Sequence, residues 1–317
     1  MTRHSVPGLH HVTAIAGDPQ RNHDFYTETL GLRLLKRTVN FDDTSVYHLY
    51  YGNEVGTPGT SLTFFPYDSG SGRVGAGQVA ATTLAVPAGA VDYWRDRFEE
   101  YGVDHDAPTE RFGRTVLSFR DPDGLPLELV VDEATDIDPW ADGPVPVEHA
   151  IRGFGGVALD STDPDATAEV LELLGYERTD ERPDRERWVA ASDRAPVIDL
   201  LTGESEPGRP GAGTVHHVAV RAENEAVQRE WQERLRDAGQ RVTEIKDRRY
   251  FESIYFREPG GVLFEIATDG PGFDRDQDVE ELGSGLSLPP WLEDRRDEIE
   301  AGLPPLETAT SAESAGD

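Results

Sequence analysis

The sequence predicts an α+β fold built from four copies of one unit: a strand, a helix, a glycine stop and further strands. Three observations predict it. Amphipathic helical stretches closed by a glycine recur at Gly31, Gly102, Gly175 and Gly239. Runs of alternating apolar and polar residues, the period of a half-buried strand, lie before and after each of them. The repetition also reaches residue level: Arg120 to Glu128 parallels Arg257 to Glu265, and Leu30 to Arg33 parallels Leu174 to Glu177. Repetition of this kind marks a supersecondary unit that buries its apolar face only against its neighbours.

The first unit, 8–67, has a strand from Leu9 to Ile15 and a helix from Asn22 to Leu30. Asp18-Pro19 is its start signal and Gly31 its stop, before strands at Ser45 to Tyr51 and Ser61 to Phe65. The second, 78–132, has a strand from Val79 to Val86, a helix from Ala90 to Tyr101, and strands at Thr115 to Phe119 and Leu127 to Val131. A connector rich in proline and acid, 134–150, carries Pro139, Pro144 and Pro146 and marks a boundary. It divides an N-terminal domain, 1–133, from a C-terminal domain, 151–270. The third unit, 152–202, has a helix from Asp165 to Leu174 and a strand from Val197 to Leu201. The fourth, 214–268, has strands at Val215 to Val220, Ser253 to Phe256 and Val262 to Ala267 around a helix from Ala226 to Ala238. An acidic extension, 271–317, offers Leu286, Leu288 and Trp291 as apolar anchors, and from Thr308 its composition reads as a disordered tail.

The composition narrows the functional classes. A formal charge of -31, from 61 acidic against 30 basic residues, spreads over the whole chain. It reads as a solvated, self-repelling surface of the kind found at high salt, and disfavours nucleic acid and anionic membranes as partners. No apolar run reaches the ~20 residues of a membrane helix. The opening Met1-Thr2-Arg3-His4 has no signal-peptide pattern. With no cysteine, disulfides, thiolate metal sites and cysteine nucleophiles are excluded, and a cytoplasmic location is the expectation.

Histidine pairs open the first and fourth units, His10-His11 and His216-His217, and the fourth closes on Glu265 in an apolar strand. Two imidazoles and one carboxylate presented from strands are the ingredients of a non-haem iron(II) facial triad. Alternation selects among them, because adjacent strand residues face opposite ways. Val12, Ala14, Val218, Val220, Phe264 and Ile266 form the face that packs on helices, which leaves His11, His217 and Glu265 on the other. Ligands from units one and four require those units to share one half-barrel, with the middle units forming a second. The middle strand heads, Ala80-Ala81-Thr82 and Gly155-Gly156-Val157, hold no histidine. Glu128 stands in the slot of Glu265 without histidine partners and reads as structural. His48 and His149 read as hydrogen-bonded core or rim residues, and His4, His23 and His105 as exposed.

With Lys36 to Val39, Tyr47 to Tyr50, Gly56 to Thr60, Glu148 to Phe154, Tyr250 to Tyr255 and Pro259 to Glu265, these motifs give the chain a wider resemblance. It resembles the vicinal oxygen chelate superfamily (glyoxalases, bleomycin resistance proteins, extradiol dioxygenases), and within it the hydroquinone-type ring-cleaving dioxygenases. The resemblance spans nearly all of residues 8 to 295. It implies βαβββ modules paired into two open half-barrels and Fe(II), or alternatively Mn(II), on His11, His217 and Glu265. It also implies His10, Thr13, His216, Arg248 and Tyr255 around a small aromatic substrate that reacts with O2. Three alternatives stay open: a catechol extradiol dioxygenase, a glyoxalase-like metal-dependent lyase or isomerase, and a resistance protein that binds a small aromatic or drug. A homo-oligomer is compatible with the sequence.

Overall fold

The computed structural model describes residues 5–67, 70–192 and 194–308. Module one comprises β1 (Leu9–Ala16), α1 (Pro19–Asp24), a π-helical turn (Phe25–Thr29), β2 (Arg33–Asn40), β3 (Asp43–Gly52) and β4 (Ser61–Pro66). Module two comprises β5 (Gln78–Val86), α2 (Ala90–Tyr101), β6 (Thr109–Arg111), β7 (Arg114–Arg120) and β8 (Pro126–Val131). Module three comprises β9 (Phe154–Asp160), α3 (Pro164–Leu173), β10 (Glu177–Arg182), β11 (Arg185–Val189) and β12 (Val197–Leu201). Module four comprises β13 (Thr214–Ala222), α4 (Glu225–Asp237), β14 (Lys246–Asp247), β15 (Phe251–Arg257) and β16 (Leu263–Pro271). A short helix, α5 (Arg296–Gly302), follows in the extension. Among the described residues, no helix is long and apolar enough to cross a membrane.

The strands form two eight-stranded sheets, each curled into a half-barrel. One runs β14-β15-β16-β13-β1-β4-β3-β2 and combines modules one and four; the other runs β10-β11-β12-β9-β5-β8-β7-β6 and combines modules two and three. The connector at 134–150 therefore separates modules and not sheets, because each half-barrel draws one module from either side of it. The seams are antiparallel, β1 on β13 and β5 on β9, while within each module the first strand lies parallel to the last.

Helix starts follow local chemistry. The side chains of Asp18, Asp163 and Asn224 accept a backbone N–H from the first turns of α1, α3 and α4. The first helix differs from the sequence expectation: it starts at Pro19 and passes into the π turn at Phe25, where Leu30 N–H reaches Phe25 O. Gly31 then turns the chain at φ 69°, and a Cβ there would meet Val145 Cγ2 at 2.6 Å. On the outer faces of the sheets, Val12, Val218, Val220, Phe264 and Ile266 are fully buried, with Trp231 and Leu235 of α4 in the same cluster. Each such side chain contributes roughly 1.5–3 kcal/mol of transfer free energy.

The C-terminal extension returns to fill one end of the first half-barrel. Phe273 and Leu282 join Leu35, Tyr50, Ala219, Tyr250, Phe251 and Ala267 in a buried cluster on the concave side. Leu288, Leu292 and Ile299 pack on Val39. Of the expected anchors, Leu288 is buried and Leu286 half-buried, whereas Trp291 is 52% exposed and meets Phe41 edge-on. Thr308, the expected start of the disordered tail, is buried, and the rest of that tail, 309–317, lies outside the described residues.

Lys36, fully buried on β2, is held by this extension: its Nζ lies 2.6 Å from Asp276 Oδ1 and 2.5 Å from Gln277 Oε1. Removing one partner of a buried ion pair leaves an uncompensated charge. Asp276→Ala is therefore expected to destabilise the protein by about 3 kcal/mol, read from denaturant unfolding. An unchanged midpoint would mean that water already satisfies Lys36.

Candidate metal centre

The register of the first sheet lays two rows of side chains across its concave face. One row runs Tyr255, Glu265, Ala219, His11, Ser61 on β15, β16, β13, β1 and β4. The next runs His217, Thr13, Thr63, Tyr50, Lys36 on β13, β1, β4, β3 and β2. The alternation read from the sequence thus converges His11, His217 and Glu265 at the seam. His11 Nε2 lies 3.2 Å from His217 Nε2, and Glu265 Oε2 lies 3.4 Å and 2.9 Å from these two atoms.

This donor set fits a metal ion. All three side chains are buried, and they form the one group of three such ligands found among the described residues. Bonds of about 2.1 Å to a common centre give edges of roughly 3.0 Å in an octahedron and 3.4 Å in a tetrahedron, within about 0.1 Å of the range seen. Ser253 Oγ donates to Glu265 Oε1, but Oε2 receives no hydrogen bond although it is fully enclosed. A buried carboxylate oxygen without a donor is costly, and a cation at the centre of the triangle would satisfy it. Burial raises the Glu265 pKa, but the adjacent His11 and His217 outweigh it and hold the carboxyl well below its usual range. Burial in turn lowers the pKa of His217, which favours the neutral imidazole that a ligand must be.

The first histidine of each pair stands in a β-bulge. Leu9 pairs with Val220 and His11 with Ala219, so His10 has no partner across the seam; Thr13 pairs with His217 and Ala14 with Val215, so His216 has none. A bulge re-aims a side chain, and here it brings the rings of each pair together, with Nδ1 atoms 2.9 Å apart at His10–His11 and 2.8 Å apart at His216–His217. At the first pair the protons can be assigned. His10 Nε2 lies 3.1 Å from Thr268 O, which can only accept, so this nitrogen carries the proton. Burial and the neighbouring His11 lower the His10 pKa to about 3, so the ring is neutral and its Nδ1 is an acceptor. His11 must then donate from Nδ1, so that Nε2 is the nitrogen a metal ion would take.

The second half-barrel repeats the frame without the ligands. Its seam has bulges at Ala80 and Gly155, where the first has His10 and His216. Glu128, in the position of Glu265, accepts from Arg111 Nη1 and Nη2 at 2.6 and 2.8 Å and from Thr83 Oγ1 at 3.1 Å. A guanidinium stands where the first sheet would hold a cation.

The triad opens onto a cavity of about 240 Å³. Phe41, Phe65, Tyr67 and Phe251 give it aromatic walls, with Arg248 and Tyr255 at one side and His216 facing in. Arg248 donates from Nε to the Tyr255 hydroxyl at 3.1 Å. Burial, then the Glu265 charge, pushes the Tyr255 pKa above the usual phenol range, so the hydroxyl keeps its proton. Its oxygen accepts from Arg248 at the edge of the cavity. Thr13 is fully buried and does not line the cavity; its Oγ1 meets Thr63 Oγ1 at 2.7 Å.

His48, expected as a hydrogen-bonded core or rim residue, and Asp42, given no role by the sequence, both line the cavity. His48 has Nε2 3.0 Å from Thr63 Oγ1 and Nδ1 2.8 Å from the Tyr50 hydroxyl. Its alternation with Tyr50 on β3 was the available signal. Asp42 stands at the mouth with no sequence signal beyond its place in a tight turn. Of the remaining histidines, His23 is buried beside Tyr51 and His105 is half-buried, against the expected exposure, and His149 stacks on Tyr93.

Comparison with known proteins places this geometry. The chain is 48% identical over 302 residues to MhqO of Bacillus subtilis (strain 168), described as a candidate ring-cleaving dioxygenase, covering 95% of this chain and 96% of that one. It is 36% identical over 310 residues to a chlorohydroquinone/hydroquinone 1,2-dioxygenase of Sphingobium indicum, covering 93% and 95%. A crystal structure of a candidate dioxygenase from Bacillus subtilis superposes with a TM-score of 0.93 at 47% identity, covering 96% of this chain and 98% of that one. A family model matches residues 8–129 and 172–266, and with these relatives it establishes that the chain belongs to the glyoxalase/bleomycin resistance protein/dioxygenase superfamily.

Proposed function

We propose that the protein is an Fe(II)-dependent ring-cleaving dioxygenase that inserts O2 into hydroquinone-type aromatics, substituted rings included, with Mn(II) as the alternative metal. The observation that carries this reading is the buried His11–His217–Glu265 donor set opening on an aromatic-walled cavity sized for one substituted ring. Kinship with proteins named as ring-cleaving and hydroquinone dioxygenases supports the reaction class. Two neutral imidazoles and one carboxylate are the ligand set of non-haem iron oxygenases. They also separate this reading from a glyoxalase-like lyase, whose sites generally take more carboxylates.

Bound by these residues, Fe(II) would supply adjacent positions for a phenolate oxygen and O2 and a route for electrons from ring to O2. The chain supplies the rest. Phe65 and Phe251 fix the ring plane, and the enclosed walls keep bulk water out. Tyr255 presents a hydroxyl proton where negative charge builds on oxygen, and Arg248 anchors that hydroxyl. His216 faces the cavity as a neutral ring, its pKa lowered to about 3 by burial and the neighbouring His217, and is the candidate base for a substrate hydroxyl. His10 and Thr268 O fix the His11 tautomer, the role outer partners play around metal-bound histidines.

His10→Leu is expected to weaken Fe(II) affinity by about 10–100-fold, measured by competition with a chelator. Unchanged affinity would remove the tautomer role. The function itself is tested by O2 uptake of anaerobically purified, Fe(II)-loaded protein at high salt, offered hydroquinone, a substituted hydroquinone and catechol. Uptake led by the hydroquinones is the expected result. Uptake with catechol alone, or none with iron bound, rejects the assignment.

A further inference from the structure

The mouth of the cavity carries charges that metal binding does not require. The turn between β2 and β3 brings Phe41 and Asp42 over the opening, and Trp291 braces Phe41 from outside, ring centroids 5.7 Å apart. Asp42 reaches to the opposite wall, where Arg248 Nη1 and Nη2 each donate to its Oδ2 at 3.1 Å. The Nε–H of the same guanidinium is taken by Tyr255. Arg248 is the one lysine or arginine lining the cavity among the described residues, and the carboxylates there are Asp42 and Glu265.

We propose that Asp42 sets the charge selectivity of the cavity: by occupying Arg248 it denies ring carboxylates their counter-ion and restricts entry to phenols without one. The proposal rests on reading the cavity as the site of a hydroquinone-type ring. A free guanidinium fork is the natural partner of a carboxylate, which it grips with two parallel hydrogen bonds. With Asp42 in place that fork is taken, and an arriving ring carboxylate meets the like charge of Asp42 at the mouth of a confined space. Rejection by an unpaired like charge is a standard route to specificity. A neutral phenol carries no such penalty and needs only single donors and acceptors. The Asp42 side chain is 63% exposed and that of Arg248 is 19% exposed, so the pair can be altered from the solvent side without disturbing the core.

The test compares hydroquinone with gentisate, the hydroquinone that bears a ring carboxylate, binding to Fe(II)-loaded full-length protein under nitrogen. Affinities are measured by calorimetry for the wild type, Asp42→Asn, Asp42→Glu and the double variant Asp42→Asn with Arg248→Met. Asp42→Asn should tighten gentisate binding by about 10-fold or more while changing hydroquinone by less than about 3-fold. Asp42→Glu should keep the wild-type preference, and the double variant should lose the gain. Unaltered gentisate affinity in Asp42→Asn overturns the proposal, as does a gain that survives Arg248→Met. If hydroquinone binds throughout and only the shift is missing, selectivity alone falls. If the metal-loaded wild type binds neither ring, the reading of the cavity falls and this proposal with it.

Discussion

Glu265→Gln is expected to lose Fe(II) binding and O2 uptake together while leaving the metal-free protein folded. The amide keeps an oxygen for Ser253 and fills the same space, so packing is preserved. What it removes is the charge on an oxygen that is fully enclosed and receives no hydrogen bond. Burial opposes that charge but His11 and His217 outweigh it, so the metal-free variant should stay folded with a modest loss of stability. The metal loses its one anionic ligand, and affinity should fall by at least about 100-fold, beyond the effect of an outer partner. Metal analysis and denaturant unfolding of the same preparations read both halves. Retained iron with full activity removes Glu265 from the ligand set; a strongly destabilised metal-free variant makes it a structural carboxylate.

Tyr255→Phe is expected to lower kcat by about 10²–10³-fold with iron content unchanged, the usual loss of a donor aimed at developing oxygen charge. The phenol keeps its proton because burial and Glu265 raise its pKa. Arg248 donates to its oxygen and holds the hydroxyl at the wall of the cavity. If the residue only held Arg248 in place, KM would rise while kcat stayed near the wild-type value. Single-turnover kinetics on iron-loaded protein separate the two outcomes.

The framework was legible in the sequence wherever one face of an element is buried and the other is not. The helix from Ala90 to Tyr101 and the strand from Val197 to Leu201 match their predicted ends. Strand parity alone put His11, His217 and Glu265 on one face. What parity cannot reveal is a bulge, because one unpaired residue leaves no trace in composition. The contacts of His10 with His11 and of His216 with His217 therefore emerge only in the fold. β2 was hidden because the extension covers its second face and buries Lys36 there, which erases the alternation. β10 was hidden for the opposite reason: every residue from Glu177 to Arg182 is exposed, so the strand has no apolar face to read. Asp42 acquires its place at the mouth only through Arg248, which is 206 residues away in sequence.

The most direct test of the central claim is the fate of oxygen. Fe(II)-loaded protein would be given hydroquinone under isotopically labelled O2, and the products resolved by mass spectrometry. The account predicts a ring-opened product that carries both atoms of one O2 molecule, formed by the wild type and absent with Glu265→Gln. An intact ring, or a product with one labelled oxygen or none, from protein holding stoichiometric iron would contradict it.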